Sequence, residues 1–190
     1  MPSTLATSQA VSGQQTCSLI ILRHAKSSWK DPALTDFQRP LNRRGERDAP
    51  FMGQRIHHHN LMIDEILCSP AMRTQLTLSL MSDQLNVGMD RVTMVDELYH
   101  ASLQTLISLL NTQSARAVML IGHNPGLKQL VELLSQGRIK RLPTCAYAAF
   151  RFSFQRWSDF KPHQEGWTGA ELTVSEFPKM FPRDQRRSQR

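Results

Sequence analysis

A three-layer α/β/α sandwich around a mostly parallel sheet is predicted by three features of this 190-residue sequence. Short apolar runs recur without polar alternation, as strands covered on both faces require. Between them lie segments with apolar residues three and four positions apart, the mark of helices that bury one face. The two kinds of segment alternate along the chain, which is the order of parallel strands joined by crossover helices.

The elements follow in turn. "SLIILR", from Ser18 to Arg23, reads as a buried strand, and "KDPALTDFQRPLN" after it, with two prolines and several turn formers, as a loop. A helix starts near Asn42 and brings Ala49, Met52 and Ile56 to one side, with Pro50 and two glycines against its regularity. "IDEILCS" is the second strand. The helix "SPAMRTQLTLSLMSDQL" follows, with Ser69 as expected cap and Pro70 as first helical residue. "VTMVDEL" is the third strand, and Leu103, Leu106, Ile107 and Leu110 form the stripe of the next helix. "AVMLIG" is the fourth strand, and its helix carries Leu127, Leu130, Val131 and Leu134. "CAYAAFRFSF" and "AELTVSEF" are two further strands, expected as a hairpin that extends the sheet.

Composition sets the frame. Apolar residues at 40% and charged residues at 21% suit one globular domain, expected over residues 18–178, between a flexible polar leader (1–17) and a basic disordered tail (179–190). Cys17, Cys68 and Cys145 form no CxxC pair and are odd in number, against a disulfide framework or structural zinc. The leader has no Lys or Arg and no continuous apolar core, and no apolar run reaches membrane-spanning length, so a soluble cytoplasmic protein is expected. Of the net charge of +7, four units fall in residues 179–190, where five basic residues face Asp184 alone. A basic terminus is only an electrostatic footprint, so neither a nucleic-acid nor a membrane partner is expected.

Ligands of such sheets bind beyond the carboxyl ends of the strands. Four of those ends carry chemistry here: Arg23 and His24; Ser69 to Arg73; Asp96 and Glu97; and Gly122, His123, Asn124, Pro125 and Gly126. Two of them open helices, whose unpaired N–H groups and dipoles favour anions. With the planar forks of Arg23 and Arg73, the site suits a compact anion with several negative oxygens, phosphate above all. One neutral histidine could attack phosphorus while the other, with the arginines, steadies the equatorial oxygens. Glu97 could protonate the leaving group and then activate water. No metal and no cofactor are needed.

"RHAKSSW", "RPLNRRGERDAP", "SPAMRT", "DELYHAS" and "GHNPGL", in that order, resemble the histidine phosphatase superfamily, formerly the phosphoglycerate mutase-like proteins, and most closely its SixA-like branch of phosphohistidine phosphatases. The resemblance runs from about Leu19 to Phe150 and implies the phosphoglycerate mutase-like fold. It implies that His24 is phosphorylated during turnover, that Arg23 and Arg73 hold the phosphoryl oxygens, and that His123 completes the pocket. Glu97 falls where many relatives carry the proton donor. Ala25 stands where many members have glycine, and Lys26 follows it. Lys26 and Arg39 are assigned to a second tier of positive charge around the substrate, and Asn124 is placed with the phosphate-binding residues.

Other signals are set aside. Cys145 and Arg151 have the spacing of cysteine-dependent phosphatases, but "AYAAF" between them is strand-like and cannot wrap a phosphate. Cys68 has the wrong spacing to Arg73. His57, His58 and His59 are consecutive, so on a helix they diverge, and no GxGxxG follows the first strand.

The expected activity is a metal-independent phosphohydrolase with a phosphohistidine intermediate, releasing inorganic phosphate. The segment between Arg73 and His123 is consumed by helices and a strand, leaving no insertion to close over a small molecule, so a phosphohistidine-bearing protein is the leading substrate. A small phosphorylated metabolite, a sugar or nucleotide phosphate, is the alternative. A phosphate-binding module without turnover is the other.

Overall fold

Leu19, Ile20, Ile21 and Leu22 are all buried although neighbours in a strand point to opposite faces. Both faces of the first strand must therefore be covered. In the computed structural model, which describes residues 16–162, 167 and 170–186, they are. The strand β1 (Ser18–Arg23) lies inside a six-stranded sheet with β2 (Glu65–Cys68), β3 (Val92–Met94), β4 (Ala117–Gly122), β5 (Tyr147–Arg151) and β6 (Glu171–Glu176). The order is β3-β2-β4-β1-β5-β6. The first four in that order are mutually parallel, and β5 runs antiparallel to both β1 and β6. The expected terminal hairpin does extend the sheet.

Alternation in β1 divides the core. Ile20 and Leu22 pack with residues of α1 (Arg43–His58) and α2 (Met72–Leu85). Leu19 and Ile21 pack with α3 (Leu103–Asn111), α4 (Gly126–Leu134) and an aromatic group of Phe152, Trp157 and Phe160. This is the three-layer arrangement that the sequence predicts. Asn42 caps α1 by accepting hydrogen bonds from the N–H groups of Arg44 and Gly45. Gly45 is required: a Cβ there would collide with the carbonyl oxygen of Lys26. The start of α1 thus rests directly on the backbone that follows β1.

Four sequence expectations need adjustment. The third strand stops at Met94, and Asp96–Leu98 form a 3-10 turn, because this edge strand pairs on one side only. Helix α2 starts at Met72, with Ala71 at the cap position and no side-chain cap. Ser69 is turned elsewhere. Of the leader, residues 1–15 lie outside the described residues, whereas Cys17 is buried and exchanges backbone hydrogen bonds with Phe152 and Phe154. The tail expectation also changes where it can be followed. Phe181 packs edge-on against Phe51 and under Arg55, and Arg186 reaches the buried Asp48 at 3.7 Å. An apolar ring and a buried carboxylate anchor this stretch despite its charge; residues 187–190 lie outside the described residues.

No helix among the described residues is long and apolar enough to cross a membrane.

Candidate active site

The carboxyl ends of β1, β2 and β4 adjoin in the sheet, so His24, Ser69 and His123, each just beyond its strand, are brought together by register alone. The rings of His24 and His123 are 5.1 Å apart, and both residues are buried. Nδ1 of His24 lies 2.7 Å from the carbonyl oxygen of Ala25, to which only an N–H can donate. That bond fixes the tautomer. Nδ1 carries the proton and Nε2 keeps its lone pair. Burial drives the His24 pKa down to about 3, with the Ala25 bond working against it and Arg73 and Arg23 reinforcing it. Burial likewise takes His123 down to about 2, helped by Arg73, His24 and His100. Both imidazoles are neutral at physiological pH.

Two guanidiniums adjoin them. Arg23 donates through Nη1 to the carbonyl of Leu142 at 3.0 Å, while its Nε is buried without a partner. Burial lowers the Arg23 pKa, and the neighbouring Arg73 lowers it further. Arg73 is itself almost fully buried in the first turn of α2. Thr77 ties these parts together: its hydroxyl accepts from the Ala25 N–H at 2.9 Å and donates to the Arg73 carbonyl at 2.6 Å. The distance between the His24 loop and the arginine on α2 is therefore set by one side chain.

Arg73 has a partner that the sequence reading did not supply. Its Nη1 donates to the Asp36 carbonyl at 2.5 Å and its Nη2 to the Asp36 carboxylate at 2.9 Å. The same carboxylate accepts from Tyr99 Oη at 2.9 Å, from Arg39 Nη1 at 2.9 Å, and lies 3.3 Å from His100 Nε2. Burial alone would raise the Asp36 pKa, but the bonds from Tyr99, Arg73 and His100 together bring it down to about 2. His100, at φ 53°, holds a left-handed conformation that turns its ring onto His123, 5.4 Å away and nearly parallel. The Tyr99 ring is 5.5 Å from His123. Three guanidiniums against one carboxylate leave two positive charges among neutral imidazoles. That excess matches a phosphoryl dianion.

The remaining candidates fall as follows. Ser69 Oγ is 2.9 Å from His123 Nε2, so this residue orients a histidine rather than capping a helix. Nδ1 of His123 is buried without a partner. Asn124 donates to the Leu142 carbonyl at 3.0 Å, the acceptor it shares with Arg23, and its Oδ1 is buried without a partner. Arg39 is buried against Asp36 and the Ser28 carbonyl, with its guanidinium 3.0 Å from the centroid of the Trp29 ring. Its charge reaches the site through Asp36. Lys26 contributes backbone, its carbonyl accepting from the Asn42 N–H. Glu97 is exposed on the turn before Tyr99. The methyl of Ala25 is fully buried in the core on the α1 and α2 side.

All three cysteines are buried, which disfavours the reactive thiolate. Burial pushes Cys68 up to about 12 and Cys145 well above its ordinary value. Cys145 instead serves through its backbone: at φ 61° its N–H faces the carbonyls of both Arg23 and His24, fixing the end of β1. His57 and His58 are exposed, while His59 joins Arg55 on Glu176, tying the end of α1 to β6.

The chain is similar in sequence and fold to known proteins. Residues 19–117 match the family model of the histidine phosphatase superfamily (branch 1). An uncharacterised chloroplast protein of Arabidopsis thaliana is 34% identical over 151 residues, covering 74% of this chain and 69% of its own length. An uncharacterised protein of Mycobacterium tuberculosis is 29% identical over 154 residues, covering 74% of this chain and 92% of its own. The crystal structure of a candidate phosphohistidine phosphatase SixA from Agrobacterium tumefaciens aligns with a TM-score of 0.69 at 25% identity, covering 86% of this chain and 99% of that one. A protein histidine phosphatase SixA complexed with tungstate shares the fold with a TM-score of 0.70 at 21% identity, covering 86% and 98%.

Proposed function

The chain belongs to the histidine phosphatase superfamily, as a SixA-like phosphatase acting on a phosphorylated substrate and releasing phosphate, and from that premise we propose that His24 carries the phosphoryl group during turnover and that the substrate is a phosphohistidine on another protein. The observation that carries the first part is the Nδ1–H bond from His24 to Ala25, which leaves Nε2 with its lone pair beside Arg23 and Arg73. A neutral, oriented imidazole is a competent nucleophile towards phosphorus.

In the first step the Nε2 lone pair forms a bond to phosphorus as the bond from phosphorus to the substrate's imidazole nitrogen breaks. Arg23, Arg73 and His123 hold the three non-bridging oxygens; the buried Nε of Arg23 and Nδ1 of His123, without partners in the protein, are groups that such an oxygen would answer. Nδ1 of His24 keeps its proton throughout, and the Ala25 carbonyl that accepts it stabilises the positive charge that the ring gains. In the second step water attacks phosphorus as the Nε2 bond breaks; Glu97, having given its proton to the departing imidazole in the first step, takes one from the water, and inorganic phosphate leaves.

The two carboxyl groups take different parts. Asp36, held ionised by four donors, is a poor acid and serves to orient Arg73 and Arg39. The proton exchange with substrate and water is assigned to Glu97, which is exposed on the turn two residues before the Tyr99 ring that meets His123. An imidazole leaving group asks less of that acid than an alkoxide does. The span from Arg73 to His123 is taken up by α2, β3, α3 and β4 with short connections, which suits a site reached by a protruding side chain.

The test is a paired assay of the purified protein on a histidine-phosphorylated peptide and on a sugar phosphate. The proposal expects kcat/KM to favour the phosphohistidine peptide by at least tenfold. Efficient hydrolysis of the ester with the phosphohistidine left intact would transfer the assignment to small phosphoesters, and phosphate binding without turnover of either would remove the catalytic reading.

A further inference from the structure

A second cationic site adjoins Pro143 and Thr144, next in the chain to the Leu142 carbonyl that Arg23 meets. A cavity of about 620 Å³ is lined by Arg44 and Arg47 from α1 and by Lys179, Arg183 and Arg186 from the C-terminal segment. Among the described residues lining it, Asp48 is the single acid, and it is already engaged: Arg47 at 2.8 Å, Arg44 at 3.6 Å and Arg186 at 3.7 Å. Lys179 and Arg183 are exposed and add two further charges. Five cations and one carboxylate line the cavity, an excess of positive charge that favours an anion there. The catalytic reaction as described uses none of them.

The position of this cavity relates it to the catalytic pocket. Pro143 and Thr144 form part of its wall. Arg44 Nη2 donates to Thr144 Oγ1 at 3.0 Å on the cavity side, and Arg23 Nη1 donates to the Leu142 carbonyl at 3.0 Å on the catalytic side. The Cα atoms of Leu142 and Thr144 are at most about 7 Å apart, and with the reach of the carbonyl, the hydroxyl and the two hydrogen bonds the two guanidiniums lie within about 18 Å of each other. An extended peptide covers such a distance in at most about five residues.

We propose that this cavity is a docking subsite for an acidic segment of the protein substrate, receiving a carboxylate about three or four residues from the phosphorylated side chain. The inference rests on the protein-phosphatase reading above. It accounts for why a segment rich in Arg and Lys is folded back onto α1, and it separates recognition of the partner from the chemistry on His24.

The experiment compares two histidine-phosphorylated peptides that differ only in having Asp or Asn at the third and fourth positions from the phosphohistidine. The wild-type protein is expected to show a KM about tenfold lower for the acidic peptide with similar kcat, an advantage that shrinks as salt is raised from 50 to 500 mM, the order of effect expected of a few rim charges. The double variant Lys179→Glu/Arg183→Glu, which leaves the Asp48 cluster intact, is expected to abolish that difference. Arg47→Gln, tested separately with its folding checked by circular dichroism, is expected to reduce it. Hydrolysis of both peptides with equal KM overturns the docking site and leaves the protein-phosphatase reading standing. Hydrolysis of neither peptide, with turnover of a small ester, overturns both.

Discussion

Replacing Asp36 by Asn perturbs stability and anion affinity in opposite directions. The carboxylate accepts hydrogen bonds from Arg73, Arg39 and Tyr99, and its pKa falls from 3.8 to about 2. That fall alone would represent roughly 2.5 kcal/mol of stabilisation at 1.36 kcal/mol per unit. The side chain is 44% exposed, however, and screening by solvent reduces the figure to on the order of 1 kcal/mol. The same carboxylate occupies Arg73 in the empty site, so the substitution removes a competitor for that guanidinium and one negative charge beside the phosphoryl position. At a few ångströms in a partly solvated site this is worth about 1.4 kcal/mol, or about tenfold in affinity. Asp36→Asn is therefore expected to melt a few degrees lower without phosphate, to be inhibited by inorganic phosphate about ten times more strongly, and to recover more of its melting temperature than the wild type when phosphate is added. Because the folded-state pKa lies below the unfolded one, the wild type's advantage is complete above about pH 4 and narrows as the pH falls toward 2. Phosphate inhibition that is unchanged or weaker in the variant would refute the competition between Asp36 and substrate for Arg73.

His24 and His123, with pKa values lowered to about 3 and about 2, bind fewer protons folded than unfolded, so stability is expected to decline as the pH drops below about 6.5 and to keep declining toward 3; His24 and His123 resonances, assigned by His→Gln variants, that titrate near 6.5 in the folded protein would contradict this. Ser69→Ala removes the partner of His123 Nε2, and a lost hydrogen bond of about 1 to 1.5 kcal/mol is expected to lower kcat by about tenfold while the fold persists by circular dichroism. Gly45→Ala drives a methyl into the Lys26 carbonyl and is expected to cost about 1 to 3 kcal/mol in denaturant unfolding, with a loss of activity as the backbone after His24 shifts.

Legibility in the sequence followed distance along the chain. The four parallel strands and the helices between them showed as periodicity, and strand ends in a parallel sheet share an edge, so Arg23, His24, Arg73 and His123 could be assembled without coordinates. Asp36 could not. It sits in an irregular loop between β1 and α1 where no repeat indicates direction, and it meets Tyr99 and His100 across sixty-odd residues. Ser69 carries a legitimate capping signature, yet the helix starts three residues later and the hydroxyl goes to His123. Ala25 stands where many relatives have glycine, and the sequence does not say where its methyl goes: the strand ends at Arg23, alternation lapses, and the methyl joins the core beside Ile20 and Leu22. The Thr77 bridge has no sequence signal at all, since it depends on how α2 sits against β1.

The central claim, a phosphoryl group carried on His24, is tested most directly by rapid quenching of a single turnover with a labelled phosphodonor. The account predicts label on the protein that survives alkali, is lost in acid, maps to the peptide containing His24 and is absent from His24→Ala. Label on another residue, or rapid turnover by wild type with none trapped and by His24→Ala at an undiminished rate, would contradict it.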